Sequence, residues 1–269
     1  MQIVGLRKIV RPRGAVMEKG FTSLLGAAQV PEVGLSFGIC KIPAGASYTF
    51  GSEEMETAVV AFDGKGELTC GGRSLPFERS DWITTAATVV HCSSGDCIQG
   101  QNTGTDLLEV FVVQTPNSQS FVPRFYSSED VQIEHRGKGI LQDTCYRIVR
   151  LVFDDSNGPP ESQLVLGEVV NFPGRWSSYP PHFHPQPEIY YYRFHPAQGY
   201  GHGELGKQVF KIEDGDLLAI TSSRVHAQVS APGYHMYYLW AIRHLDNSRY
   251  QGFTFDPAHA WILEETAPS

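Results

Sequence analysis

Pro181-His182-Phe183-His184-Pro185-Gln186-Pro187-Glu188, followed 38 residues later by His226, is the stretch that decides how this 269-residue chain folds. Side chains two apart on a strand point to one face, so His182 and His184 project together. Glu188 keeps the same parity, four residues past His184 and beyond a Pro-x-Pro bend. Three imidazoles and a carboxylate suit Zn²⁺, Mn²⁺, Fe²⁺ or Ni²⁺ and leave one or two positions for water or substrate. An isolated His-x-His is usually just a polar strand pair. Here Glu188 lies downstream, and a single histidine, His226, follows Gly215-Asp216, which turns the pattern toward a ligand set.

Outward from this motif, short β-branched and aromatic runs recur between Gly, Pro, Asn and Asp breaks. They are Gly34–Ile42, Thr57–Phe62, Leu107–Gln114, Cys145–Phe153, Leu164–Phe172, Glu188–Phe194, Asp216–Thr221 and Tyr234–Ile242. Gly 27 and Pro 17 together make about 16% of the chain, above the roughly 12% of average usage, so many turns join short segments. Aromatics at 12% fill strands more naturally than helices. An all-β sandwich or barrel with few short helices is expected. One helical candidate is Ser127–His135, with Ser127 as N-cap and Asp130 as first-turn acid. Asp154–Glu161 (DDSNGPPE) reads as a loop.

The chain also echoes itself. Phe77-Glu78-Arg79-Ser80-Asp81-Trp82-Ile83 overlays Ile212-Glu213-Asp214-Gly215-Asp216-Leu217-Leu218 at an offset of 135, which also sets Val90-His91 on Val225-His226. Glu56 falls on Glu188 and Phe62 on Phe194 at an offset of 132. Repeats decide architecture, and these predict two β-modules, 1–140 and 141–269. The first lacks His-x-His: Tyr48 to Glu56 offers Glu53, Glu54 and Glu56 with the lone His91, a poor transition-metal set. No metal is expected there, and His91 reads as a core or rim histidine.

Lys+Arg 21 against Asp+Glu 29 gives −8 and a pI near 5.7, which argues against nucleic acid or an anionic membrane as partner. No run of 18 apolar residues occurs, and Met1 to Val10 hold no signal-length apolar core. The five cysteines are odd in number and confined to the first 145 residues, so they read as reduced thiols and the location as cytoplasmic.

Gly174 to Gly199, containing His182, His184 and Glu188, resembles the first conserved motif of cupins, and Gly215-Asp216 through His226 resembles the second. Trp176-Ser177-Ser178-Tyr179-Pro180-Pro181-His182-Phe183-His184 with Glu188-Ile189-Tyr190-Tyr191-Tyr192-Arg193-Phe194 is more specific. It resembles the 5-deoxy-glucuronate isomerases of myo-inositol catabolism, relatives of the 4-deoxy-threo-hexosulose-uronate ketol-isomerases. Ala231-Pro232-Gly233-Tyr234, Tyr237-Tyr238-Leu239-Trp240 and Asp256-Pro257-Ala258-His259-Ala260-Trp261 match the same family's closing segments. Ala227 after His226, Arg243-His244, and the short loop between His184 and Glu188 depart from its pattern.

The resemblance implies a bicupin, one divalent transition metal (Zn, Mn, Fe or Ni) held by His182, His184, Glu188 and His226, and conversion of 5-deoxy-glucuronate to 5-dehydro-2-deoxy-gluconate. Glu188 is alternatively the proton-shuttling base. By strand parity Tyr190 and Tyr192 face inward as catalytic candidates, while Tyr191 and Arg193 face away. The substrate carboxylate calls for a cation, and Arg175, Arg193, Lys207 and Arg243 are available. Arg193 and Tyr238 stand as the expected substrate contacts. A small-molecule sugar acid is the expected partner, and a homo-oligomer is expected by family analogy. Another uronate or deoxy-keto sugar acid as substrate, an Fe²⁺ dioxygenase, and a non-catalytic sugar-acid-binding cupin are the alternatives.

Overall fold

Each of the eight apolar runs forms a strand in the computed structural model, which describes residues 8–10, 19–221 and 223–265. Thr57–Phe62 is the core of a much longer element, Met55–Cys70, of 16 residues. This strand pairs with Thr88–Cys92 and Leu108–Pro116 over its first half, shifts register between Ala61 and Asp63, and then pairs with Arg73–Arg79 and Cys97–Asn102. A bulge bends a strand enough to serve two directions of pairing. The return to Arg73–Arg79 is made by Gly71 and Gly72, at φ 55° and 79°, and a tight hairpin of this kind needs positive φ that only glycine adopts freely.

The chain divides into two compact units. One takes Pro12–Gln132 with Leu151–Leu166; the other takes Ile133–Arg150 and Gly167 onward, and includes the strand Lys8–Val10. In the first, Arg124–Tyr126, Thr88–Cys92, Met55–Cys70, Leu108–Pro116, Ser36–Ile42 and Gly20–Leu25 follow one another across the sheet. Ile42, Val59, Val90, Ile98, Val110 and Val112 pack with Phe50 and Leu68 as its core.

The second unit carries the His-x-His stretch. Five strands lie in the order Gln208–Glu213, Tyr200–Leu205, His226–Ser230, Trp176–Phe183, Thr254–Phe255. Leu217–Ile220, Glu188–His195 and His235–Arg243 are neighbours in a seven-stranded sheet that Lys8–Val10 edges. Leu205, Phe210 and Ile212 from the first sheet share one buried cluster with Tyr190, Tyr192, Phe194, Leu218 and Tyr238 from the second. The functional stretch is therefore split between two sheets that bury a common interior. Arg193 and Tyr191 occupy the other face of their strand, and Tyr191 is buried there too.

Ser127–His135 is not a helix. The Asp130 carboxylate does accept from the Ser127 N–H and hydroxyl, at 2.7 and 2.6 Å. It closes a single turn, and the chain then extends into the strand Gln132–Arg136. A capping pair satisfies the first turn whether or not a helix follows, and with Ile133 exposed no apolar stripe is present to hold one. Helical structure among the described residues is confined to Ala27–Gln29, Leu141–Asp143 and Ile262–Glu265. No described helix is long and apolar enough to cross a membrane.

Gly167 shows how tightly this unit is packed. A Cβ added there would fall inside the Trp240 indole and 2.6 Å from the Arg150 carbonyl oxygen. Gly167→Ala is expected to cost about 1–3 kcal/mol through overpacking, read as a lower urea midpoint with an unchanged m-value.

Candidate metal centre

His182 and His226 are direct register partners on adjacent antiparallel strands. Glu188 opens its strand between Ile220 and Ile242, on the other sheet. His184 sits just past the end of Trp176–Phe183, in the proline-rich link that carries the chain from one sheet to the other. The prolines keep this link extended and short.

His184, Glu188 and His226 converge, with one potential ligand atom from each lying within 4.8 Å of the others. Glu188 Oε1 is 3.2 Å from His184 Nε2 and 3.0 Å from His226 Nε2. All three side chains are buried. Despite these approaches, Glu188 Oε1 makes no well-aligned hydrogen bond. His226 Nδ1 donates to the Arg224 carbonyl at 2.9 Å, which leaves Nε2 without a proton and its lone pair aimed into the group. A buried carboxylate oxygen met by imidazole nitrogens that do not satisfy it is a setting that fits a divalent cation. His182 lies beside this trio, its ring 4.6 Å from that of His226 and 4.1 Å from Phe253.

Burial alone would raise the Glu188 carboxyl, but His226 and His184 hold it below the ordinary carboxylate range. Burial pushes His182 well down, and the neighbouring His226 and His184 push the same way. Burial lowers His226 against the pull of Glu188. In His184 the carboxylate outweighs burial and the shift is upward. An ionised Glu188 beside neutral His182 and His226 is the protonation state that metal binding requires, and His184, which the carboxylate favours in its charged form, gives up its proton when it binds a metal.

The inward tyrosines reach this group. Tyr190 Oη lies 3.0 Å from His226 Nε2. The Tyr192 hydroxyl donates to Gln228 Oε1 at 3.1 Å, and Gln228 Nε2 donates to Ser178 Oγ at 3.0 Å. Tyr238 Oη meets Ser177 Oγ at 2.7 Å. Burial, reinforced by Glu188, raises Tyr190 well above the usual phenol value, and Tyr192 rises likewise. These hydroxyls stay protonated near neutral pH and act as donors.

Arg193 is not brought to this group. Its parity turns it to the other face, where Nε pairs with Asp214 Oδ1 at 3.2 Å. The sequence reading also missed Phe253 and Tyr250, the latter edge-on to His184 at 5.1 Å. Tyr250 N donates to His244 Nδ1 at 2.9 Å, so the family-divergent Arg243-His244 segment anchors the loop over the histidines. An irregular loop has no periodicity to betray this. Gln228, in contrast, follows His226 by two residues and was findable by parity. A cleft of about 460 Å³ lined by Thr144, Cys145, Trp176, Tyr179 and Trp261 includes none of the candidate ligands.

The 5-deoxy-glucuronate isomerase of Halalkalibacterium halodurans is 28% identical over 278 residues, 94% of this chain and 98% of its own. That of Bacillus subtilis strain 168 is 28% identical over 250 residues, covering 86% and 88%. In three dimensions the chain resembles an IolB-like protein of Salmonella typhimurium, with a TM-score of 0.80 at 24% identity over 92% of this chain and 97% of the other. Oxalate decarboxylase of Lactobacillus farciminis follows the same cupin-like fold at TM-score 0.67 and 13% identity, over 95% and 89%. With two sheets burying a His/Glu group between them and a family model matching residues 15–262, the chain belongs to the KduI/IolB family.

Proposed function

We propose that this chain is a metal-dependent sugar-acid isomerase that converts 5-deoxy-glucuronate to 5-dehydro-2-deoxy-gluconate, a cytoplasmic step of inositol catabolism. The proposal extends to a two-cupin scaffold, modules 1–140 and 141–269 save that 151–166 group with the first and 8–10 and 133–140 with the second, with metal in the second alone, assembled as a homo-oligomer. The observation that carries it is the buried Glu188–His184–His226 group beside a row of protonated phenols.

His182, His184, Glu188 and His226 would hold the ion, one of Zn²⁺, Mn²⁺, Fe²⁺ or Ni²⁺ by donor type. A divalent metal supplies positive charge where negative charge develops on oxygen as hydrogen moves between adjacent carbons. Tyr190 is the hydroxyl nearest the ligand atoms and donates to substrate oxygen there. The Tyr192–Gln228–Ser178 bonds and the Tyr238–Ser177 bond lock the neighbouring polar groups in place. Glu188 is the one carboxylate in the group and, held ionised, is also the available base.

The deciding experiment is an NMR assay of 5-deoxy-glucuronate with metal-loaded protein, in which the keto product should accumulate. Absence of turnover with every one of the four metals removes the substrate assignment. Tyr190→Phe should retain metal and lose about ten- to a hundredfold in kcat, the value of a hydrogen bond to developing charge, ~1.5–3 kcal/mol. Unchanged kcat would return Tyr190 to a packing role.

A further inference from the structure

Three arginines are buried among the described residues, and the fold treats one of them differently. Arg79 spends its guanidinium on carbonyls, donating to Thr85 O at 3.1 and 2.9 Å and to Ala61 O at 3.2 Å. Arg150 is given a carboxylate, with Nη1 3.8 Å from the buried Glu168. Arg147 donates from Nη1 to Cys145 O at 2.8 Å and has no carboxylate partner among the described residues. A guanidinium remains charged in proteins, and none of the Arg147 nitrogens is among the buried side-chain atoms left without a partner, so its remaining donors keep access to solvent and to a ligand.

Its place in the fold says what it waits for. Arg147 opens the strand Arg147–Phe153, and Val149, two residues on, packs in the cluster of Tyr190, Tyr192 and Tyr238. Residues two apart share a face, so Arg147 enters the interior that holds the histidine–glutamate group. Its charge is felt by Tyr238 of that cluster. A second guanidinium, Arg136, lies 5.8 Å from the Phe253 ring, which in turn packs against His182, but it is already paired with Glu134 at 2.6 Å. Arg147 is thus the guanidinium of the described residues on the His182 side that has no carboxylate of its own.

We propose that Arg147 is the residue that binds the substrate carboxylate, by a bidentate ion pair that the fold leaves open. This rests on the sugar-acid reading above and supplies the cation that Arg193 does not. Arg suits the role because its planar fork matches both carboxylate oxygens, and the Cys145 carbonyl fixes the fork's orientation. The specificity is then for uronic acids over neutral sugars.

The test uses the full chain loaded with Zn²⁺, with D-glucuronate and D-glucose as calorimetric probes and 5-deoxy-glucuronate as reactant. Arg147→Met should keep its zinc, weaken D-glucuronate at least thirtyfold, raise KM for 5-deoxy-glucuronate comparably, and leave D-glucose unchanged. Arg147→Lys retains charge without the fork and should weaken D-glucuronate five- to tenfold; it carries the test if the methionine variant fails to fold. Wild-type affinity for D-glucuronate no better than for D-glucose overturns the assignment, as does either folded, zinc-bearing variant binding D-glucuronate like the wild type. Arg147-dependent binding of D-glucuronate without turnover of 5-deoxy-glucuronate supports the assignment and counts against the reaction instead.

Discussion

His226→Ala is expected to strip the metal from the purified protein and reduce kcat/KM by about a thousandfold or more, the scale of losing charge stabilisation at a developing oxyanion. Three features concentrate the effect on this residue. Its Nε2 lies 3.0 Å from Glu188 Oε1, its Nδ1 is committed to Arg224 O, and its strand partner is His182. Removing it deprives Glu188 of one of the two imidazoles that hold it ionised, so the carboxylate is weakened as a ligand as well. Metal content by elemental analysis and turnover by NMR check both halves. A variant that keeps a full equivalent of metal would exclude His226 as an essential ligand. His182→Ala separates a four-ligand centre from a three-ligand one, because equal loss of metal makes His182 the fourth donor, and retained metal with retained turnover confines the set to His184, Glu188 and His226.

Strand parity and motif spacing made much of this arrangement legible. They put Tyr190 and Tyr192 inward and Arg193 away, and both hold because side-chain alternation is a covalent property of an extended chain. Parity does not say what covers a face, which is why Tyr191, turned away from the site, is nevertheless buried. It also does not see across sheets. Arg147 lies 35 residues before His182, and only the pairing of distant strands brings it to the same interior. Ser127 and Asp130 failed as a helix signal because local hydrogen bonding stabilises a turn equally well. Of the long strand Met55–Cys70 only Thr57–Phe62 is legible in the sequence, because its second half contains Gly64, Lys65, Gly66 and Glu67, which carry no apolar run.

Glu56→Ala is expected to cost about 3–5 kcal/mol of folding stability, because it leaves several buried donors without an acceptor at about 1–3 kcal/mol each, with metal content of the folded fraction unchanged. Glu56 is fully buried. Its Oε1 lies 2.7 Å from His91 Nε2 and accepts from Ser162 Oγ at 2.6 Å, while Oε2 accepts from Asn117 Nδ2 at 2.7 Å and Gln163 N at 2.8 Å. The His91 ring lies flat on Phe153 at 4.4 Å. One carboxylate therefore ties together segments far apart in the chain, and removing it leaves His91 Nε2, Gln163 N and one Asn117 Nδ2 hydrogen without an acceptor, while Ser162 Oγ retains Leu164 O at 3.1 Å. Burial would raise this carboxyl, yet His91, Ser162 and Gln163 bring it below its ordinary value. A folded pKa below the unfolded one, about 4.3, gives stability that is complete above that value and is lost as pH falls through the lower folded value. Urea unfolding at pH 7 and pH 4 should show the wild type losing more on acidification than Glu56→Gln, and equal slopes would remove Glu56 as the cause. Glu188, its echo at an offset of 132, meets His226 in the same way but has an oxygen no donor satisfies. The same Glu–His pair is closed by hydrogen bonds in one unit and left open in the other, and that difference places the expected loss in folding for Glu56 and in chemistry for Glu188.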